Sequence, residues 1–188
     1  MSQECRIETP RLIIRPWKDS DIPEFAKMNQ DLDVRQFFPR LLTTEESSGF
    51  VEFYRQQLKD HGFCFWAVEL KAIQEFIGFV GLGVCPSEMP FSPAVEIGWR
   101  LAKQYWNQGY ATEAASAVLH AAFETFHLKE VVSFTALPNK KSMRIMEKIG
   151  LRHDPQDDFD HPKLDKDHWL CRHVVYRMTK EQFSNKAI

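Results

Sequence analysis

The sequence predicts a mixed α/β (α+β) fold with a central, mostly antiparallel sheet of about seven strands, flanked by about four helices. Three strand candidates follow one another between turn-like segments, a succession that is typical of an antiparallel meander. A strand, a loop, a helix and another strand then follow between Val95 and Thr135. Because such a crossover joins strands that run in the same direction, we expect one parallel pair within the sheet.

The first predicted elements are a strand and two helices. The apolar stretch RLIIRPW predicts a short strand. The stretch SDIPEFAKMNQ predicts a helix with Ser20 as its cap and Pro23 in its first turn. A second helix opens at TTEE, where Thr43 and Glu46 have the spacing of a capping box, and it ends at Gly62.

The remaining elements alternate between strand and helix patterns. The strands of the meander are FCFWAVEL, EFIGFVGLGV and VEIGWRLA. A helix of small residues covers about 111–126, and the stretch EVVSFTAL then predicts a strand. The stretch NKKSMRIMEKIG predicts a helix that ends at Gly150, and RHVVYRMT predicts a final strand. Since no repeat or low-complexity linker divides the chain, residues 1–188 are predicted to form a single domain.

The composition excludes several classes of function. The net charge of −2 gives no overall attraction for nucleic acid, and no apolar run approaches the ~20 residues that cross a bilayer. The N-terminal stretch MSQECRIETP lacks the basic and apolar pattern of a secretory signal, so we expect a cytoplasmic location and no membrane partner. The four cysteines, Cys5, Cys64, Cys85 and Cys171, contain no CxxC pair, which favours reduced thiols.

The stretch YWNQGYATEAA places a single glycine, Gly109, before a helix of small residues. One interpretation is a turn, since glycine adopts backbone conformations that other residues avoid. The other is an anion site, in which the first N–H groups of the helix point at a ligand. The stretch lacks the lysine of a P-loop and the further glycines of a dinucleotide motif. Its place after a strand of the parallel pair adds support for the anion site, and both interpretations stay open on these residues.

The two stretches VEIGWRLAKQYWNQGYATEAA and VVSFTALPNKKSMRIMEKIGL together resemble the GNAT superfamily of acetyl-CoA-dependent N-acetyltransferases. The similarity runs from TPRLIIRPW through FWAVE and FIGFVGL to DFDHPKL and RHVVYRM, and is greatest to the ribosomal-protein N-terminal acetyltransferases of the RimJ/RimL type. The resemblance implies a GNAT fold whose parallel pair splays around acetyl-CoA, no metal, and a monomer or homodimer. It also implies direct acetyl transfer, in a ternary complex, to a primary amine of a protein N-terminus or a small molecule.

The resemblance also implies which residues hold the cofactor. The family's pyrophosphate loop has the pattern (Q/R)xxGx(G/A), and the matching WNQGYA places Trp106 where Gln or Arg is usual. Backbone N–H groups of the following residues would bind the pyrophosphate: Asn107, Gln108, Gly109, Tyr110, Ala111 and Thr112. The pantetheine arm would contact the backbone of Trp99 and Leu101 together with Asn139, and the 3′-phosphate would contact Lys140 and Arg144. An ordinary solvated helix face is the alternative for the last two residues.

Glu96 is the candidate general base. In the strand VEIGWRL, Glu96 shares a face with Gly98 and Arg100, and Gly98 is expected to leave space beside the carboxylate. A carboxylate at this place in the family often takes the amine proton through water. The alternative is an exposed glutamate paired with Arg100 or with a cross-strand partner.

Ser142 is the candidate general acid. Many relatives use a tyrosine that corresponds to Met146, which cannot donate a proton. Ser142 resembles a serine of the ribosomal-protein branch that can hydrogen-bond the sulfur of CoA, although a plain serine in a first helical turn is the alternative. Tyr105 and Tyr110 are lesser candidates. The lack of the tyrosine leaves a second hypothesis, a catalytically silent protein that binds acyl-CoA.

The segment 153–169 contains three His and six Asp residues, and its acids would favour a cationic amine at the acceptor cleft. It has no HExxH motif or comparable ligand spacing, so a metal-dependent hydrolase is disfavoured. The stretch RQFFPR (35–40) is expected to border the same cleft. A solvated loop is the alternative for the acidic segment.

Overall fold

The structure, a computed structural model, describes residues 6–186, which form two compact units. The first unit comprises residues 6–83 together with 98–118, and the second comprises 84–97 together with 119–186. The boundaries fall inside one strand and one helix, so both of these elements contribute to both units. The assignment of residues 1–188 to a single domain stays a prediction.

The first unit contains five strands. They lie in chain order and are β1 (Ile7–Glu8), β2 (Leu12–Arg15), β3 (Phe65–Leu70), β4 (Glu75–Val84) and the second half of β5 (Val95–Leu101). Each of the first four pairs antiparallel with its neighbour, and the Ala102 N–H donates to the Ile77 carbonyl (2.9 Å) just beyond β5. The meander predicted from three successive strand patterns is therefore confirmed.

The helices of the first unit are α1 (Ile22–Gln30), α2 (Leu32–Arg35) and α3 (Thr44–His61). Helix α3 begins with the predicted capping box of Thr43 and Glu46 and ends at Gly62. Helix α1 carries a proline in its first turn as predicted, but Ser20 does not cap it, because a 3₁₀ turn at Asp19–Asp21 precedes the helix. The core of the first unit is aromatic, and Trp17 in it donates its indole N–H to the Phe65 carbonyl (2.7 Å).

The second unit contains the first half of β5 and four further strands. These are β6 (Glu130–Ala136), β7 (Arg152–His153), β8 (Phe159–Asp160) and β9 (Arg172–Thr179). Strands β5 and β6 run parallel, with Glu96 in register with Val132, and β6 pairs antiparallel with β9. Both β7 and β8 pair antiparallel with β9. The predicted single parallel pair is confirmed.

Three helices follow the meander. They are α4 (Tyr110–Glu124), which contributes to both units, α5 (Lys140–Ile149) and α6 (Lys180–Lys186). Helix α5 ends at Gly150 as predicted. Residues 6–186 thus contain nine strands and six helices rather than about seven and four. The additions are two-residue strands and short helices, which are too brief to show a hydrophobic period.

The cysteines that the structure describes, Cys64, Cys85 and Cys171, are buried free thiols, which agrees with the prediction for these three. Cys5 and the rest of the stretch MSQEC lie outside the described residues. Within residues 6–186, no helix combines the length and the apolar character that a bilayer span requires.

Candidate active site

The loop before α4 presents a row of backbone donors within the first unit. After a 3₁₀ turn at Lys103–Tyr105, Asn107 and Gly109 adopt positive φ angles of 60° and 81°. The first backbone bond of α4 runs from the Glu113 N–H to the Gly109 carbonyl (3.0 Å). Within residues 6–186, the N–H groups of 107–112 have no hydrogen-bond partner. Free N–H groups at the start of a long helix can donate hydrogen bonds to a bound anion.

Gly109 is required by the backbone itself. Its φ of 81° lies in the left-handed region that side chains with a Cβ rarely adopt, and a Cβ there would lie 3.4 Å from Nη2 of Arg11, an ordinary contact. The glycine therefore sets the direction in which the loop enters α4. That a larger residue here would also meet the cofactor stays a prediction.

Trp106 fastens this loop to the end of strand β5. Its indole N–H donates to the Leu101 carbonyl oxygen (2.8 Å). This bond gives a physical reason for a tryptophan where the family pattern has Gln or Arg. The Leu101 oxygen keeps a second lone pair, so the expected contacts of Trp99 and Leu101 with a pantetheine arm stay predictions.

A clamp between Arg11 and Glu113, which no sequence pattern predicted, also holds the loop before α4. The Glu113 carboxylate accepts from the Thr9 hydroxyl (2.6 Å), the Arg11 backbone N–H (3.0 Å) and the Arg11 Nε (2.6 Å). Arg11 also donates to the Gln108 carbonyl (2.9 Å), and its guanidinium lies 4.4 Å from the Tyr110 ring centre. Burial raises the pKa of Glu113, but the bonds from Thr9 and Arg11 outweigh it and lower the pKa.

Glu96 lies on the first half of β5, within the second unit. Its half-buried carboxylate makes no hydrogen bond or ion pair with any residue that the structure describes. Burial raises the pKa of Glu96 to about 7. The pKa of the Cys85 thiol rises to about 12, first through burial and then through the Glu96 carboxylate. Glu96 can therefore take up or release a proton near neutral pH.

Two expectations about the residues after Glu96 need correction. Arg100, the proposed alternative partner of Glu96, donates its Nη1 to the Asn29 side-chain oxygen (2.9 Å). Gly98 does not leave open space, because a Cβ at this position would lie 3.0 Å from Cε1 of Phe65. The glycine at this place serves packing against the Phe65 ring.

Ser142 and Asn139 meet at the start of α5, also in the second unit. The Asn139 side-chain oxygen accepts from the Ser142 N–H (3.3 Å) and caps the helix. The Asn139 amide donates to the hydroxyls of Thr135 (2.9 Å) and Ser142 (3.1 Å). The Ser142 oxygen therefore acts as an acceptor, and its own O–H remains available to donate. A pantetheine contact for Asn139 stays a prediction, whereas its capping role is visible.

The predicted phosphate-binding side chains are exposed, whereas the methionine at the place of the family's tyrosine is buried. Lys140 and Arg144 are both exposed on α5, and Arg144 pairs with Glu147 one turn further along (3.1 Å). Met146 is buried in the same helix, 1% exposed. The roles of Lys140 and Arg144 toward a phosphate stay predictions.

The acids of the segment 153–169 are partly neutralised within the second unit. Asp157 pairs with Arg177 (2.6 Å), and Asp158 lies 2.8 Å from His153. Among residues 6–186, no group of three or more His, Cys, Asp or Glu side chains is placed to hold a metal ion. The stretch RQFFPR lies in the first unit, and the preference for a cationic amine stays a prediction.

Known proteins are similar to this chain over most of its length. The "Uncharacterized N-acetyltransferase YnaD" of Bacillus subtilis is 30% identical over 148 residues, which are 79% of this chain and 83% of that protein. The crystal structure of a GNAT-family acetyltransferase from Bacillus anthracis superimposes with a TM-score of 0.76 at 27% identity, covering 94% of this chain and 99% of that one.

A more distant structure shares the fold alone. The structure described as a ribosomal-protein-serine acetyltransferase from Vibrio cholerae has a TM-score of 0.75 at 18% identity, over 95% of this chain and 99% of that one.

The family model of the acetyltransferase (GNAT) domain matches residues 11–152, a range that includes the loop before α4, Glu96 and Ser142. The chain therefore belongs to the GNAT acetyltransferase family.

Proposed function

We propose that this GNAT acetyltransferase moves the acetyl group of acetyl-CoA to a primary amine by direct transfer in a ternary complex. The observation that carries the proposal is Glu96, a half-buried carboxylate without a described partner and with a pKa raised to about 7. A group that changes protonation near neutral pH suits general base catalysis.

The free backbone donors before α4 support binding of the cofactor. GNAT acetyltransferases use acetyl-CoA, and the N–H groups of 107–112 would hold its pyrophosphate. The backbone of Trp99 and Leu101 and the side chain of Asn139 would border the pantetheine. Lys140 and Arg144 would meet the 3′-phosphate.

The chemistry requires one proton to leave the amine and another to reach the departing thiolate. Acetyl-CoA supplies the thioester carbonyl, where the new C–N bond forms and the C–S bond breaks. Glu96 takes the proton of the amine, directly or through a water. An α-amine, with a pKa of ~8, needs less help than a lysine amine at ~10.4. The O–H of Ser142 is free to donate toward the sulfur.

The acceptor is proposed to be the amine of a protein N-terminus or of a small molecule. The RimJ/RimL-type branch in this proposal rests on the sequence resemblance, because the likeness to a ribosomal-protein-serine acetyltransferase extends to the fold alone. We also propose that the protein is cytoplasmic and acts as a monomer or homodimer.

Thiol release from acetyl-CoA with a panel of amines tests the proposal. We expect turnover by the unmodified protein, a loss of about 10²–10⁴-fold in kcat in E96Q, and a smaller loss in S142A. The matched control is E52Q, because Glu52 is an exposed residue of α3. Mass spectrometry of a lysate incubated with labelled acetyl-CoA identifies the product.

Two outcomes would contradict parts of this proposal. Tight acetyl-CoA binding without turnover of any amine would indicate a catalytically silent acyl-CoA-binding protein. Unchanged kcat in both E96Q and S142A would refute the assigned roles of Glu96 and Ser142, although the activity itself would stand.

A further inference from the structure

Arg100 in the first unit is a cation that no described carboxylate neutralises. Its Nη1 donates to the side-chain oxygen of Asn29 (2.9 Å), and its Nε is shielded from solvent without an acceptor. The guanidinium contacts two aromatic rings, 4.2 Å from the centre of Phe38 and 5.1 Å from that of Phe79. A shielded donor without an acceptor costs stability, so an acceptor for this N–H, which no described residue supplies, would stabilise the site.

The first unit also contains a buried arginine that carboxylates do neutralise. Arg15 forms ion pairs with Asp21 (2.7 Å) and Glu69 (2.7 Å), and all three side chains are largely buried. The packing of this unit therefore does accommodate carboxylates beside an arginine. Their absence around Arg100 is a property of that site.

A second arginine adds to the positive charge. Arg35 is buried, and its guanidinium lies 4.2 Å from the same Phe38 ring. Its Nε and Nη2 donate to the backbone carbonyl of Arg40 (3.0 and 2.8 Å). Burial lowers the pKa of Arg35 and of Arg100 to about 10 in each case, so both remain charged at neutral pH.

Asn29 orients Arg100 without neutralising its charge. Asn29 is fully buried, and its amide donates to the Ser47 hydroxyl (3.1 Å), which in turn donates to the Thr43 carbonyl (2.9 Å). These bonds fix the side-chain oxygen that faces Arg100. The other N–H groups of the half-buried guanidinium donate to no residue that the structure describes.

We propose that Arg100, supported by the charge of Arg35, binds a carboxylate of the acceptor, so that the enzyme prefers amines that also carry a carboxylate. This inference rests on the proposed function. The planar fork of a guanidinium matches a carboxylate, and the buried Phe79 ring and the partly exposed Phe38 ring shield part of it from the water that would weaken the pair. The preference differs from the cationic amine expected from the acidic segment 153–169.

The carboxylate could belong to a free amino acid or to an acidic side chain near a peptide N-terminus, and matched acceptors separate these sources. The first pair is alanine and alaninamide. The second is two C-terminally amidated peptides that differ only in Asp or Asn at the second position. Spermidine represents acceptors without a carboxylate. The value of kcat/KM for each is measured by thiol release.

The most direct test is N29D, in which a carboxylate replaces the amide that accepts the hydrogen bond from Arg100 and neutralises its charge. We expect the unmodified protein to prefer the carboxylate member of at least one pair by about 10–100-fold, the range of charge-assisted hydrogen bonds, and N29D to abolish that preference. The matched control is Q30E, because Gln30 is exposed on the same helix and receives the same charge. R100M is a second variant, and it should also abolish the preference.

Equal or better use of alaninamide, the Asn peptide and spermidine by the unmodified protein would overturn the inference. An unchanged preference in folded N29D and R100M would do the same. Absence of turnover with every amine would instead contradict the proposed function. In that case calorimetry decides with two acid and amide pairs, N-acetylalanine with its amide and the N-acetylated Asp peptide with its Asn counterpart. Binding of the acid member alone in at least one pair, lost in N29D, supports the site, and any other result refutes it.

Discussion

Glu96 is a carboxylate whose position was predictable from the sequence but whose surroundings were not. Its place on a strand was predictable from the alternation in VEIGWRL. That no residue among 6–186 pairs with its carboxylate was not predictable, because this depends on which side chains the fold brings near. Burial disfavours the ionised form, which raises the pKa to about 7 and makes the ionised carboxylate a cost to folding.

Replacing Glu96 with glutamine should therefore stabilise the protein in a pH-dependent manner. The folded pKa of about 7 exceeds the ordinary 4.5, so the cost is absent below about pH 4.5 and complete above pH 7. We expect E96Q to raise the free energy of unfolding by on the order of 2 kcal/mol at pH 8.5, and by less at pH 5. Urea denaturation at both pH values measures this, and an equal gain at both would contradict it.

At the scale of elements, the loop before α4 was predictable and its support was not. The glycine, the following small residues and the preceding strand marked the loop in the sequence. The clamp between Arg11 and Glu113 joins residues 102 apart in the chain, and no local pattern indicates such a pair. Trp106 also deviates from the family pattern, and only its bond to the Leu101 carbonyl gives a reason for the tryptophan.

Loss of this clamp should weaken cofactor binding more than chemistry. In R11M, the loop loses the bonds to Gln108 and Glu113 that hold its free N–H groups in place. We expect the KM for acetyl-CoA to rise about 10-fold, since one charge-assisted bond contributes ~1.5–3 kcal/mol, with kcat little changed. R6M is the control, because Arg6 is an exposed residue that pairs with Glu8. A fall in kcat at constant KM would argue against this role.

Two glycines of helices allow a paired test of backbone conformation. Gly150 ends α5 with a φ of 94°, whereas Gly49 lies inside α3 with open space where a Cβ would be. We expect G150A to lower the free energy of unfolding by about 1 kcal/mol and G49A to raise it by about 0.5–1 kcal/mol. Urea denaturation of both variants checks this, and changes of the same sign would be inconsistent with the two conformations.

At the scale of the whole molecule, the sequence predicted the order of the long elements and the parallel pair. It missed two-residue strands such as β7 and β8, because their pairing partners and not their own residues define them. It also missed the ring of Phe65 beside Gly98, since packing partners are distant in sequence. Motif order identified the family, whereas the partners of Arg11, Trp106 and Arg100 required coordinates.

Binding of CoA should stabilise the folded protein as a whole. A ligand present at 100 times its Kd contributes about 2.7 kcal/mol to the free energy of unfolding. We expect a Tm that rises with CoA concentration in the unmodified protein. The rise should be strongly reduced in G109V, in which a branched residue would replace a glycine at a φ of 81°. A Tm independent of CoA would rule out the proposed cofactor site.

The pH dependence of kcat/KM for the acceptor, in the unmodified protein and in E96Q, tests the central claim most directly. Acetyl transfer with Glu96 as the base predicts a rate that increases with pH through an inflection near 7, and loss of that inflection in E96Q. The amine's own titration should remain in both proteins. The same inflection and the same rate in E96Q would contradict the role of Glu96.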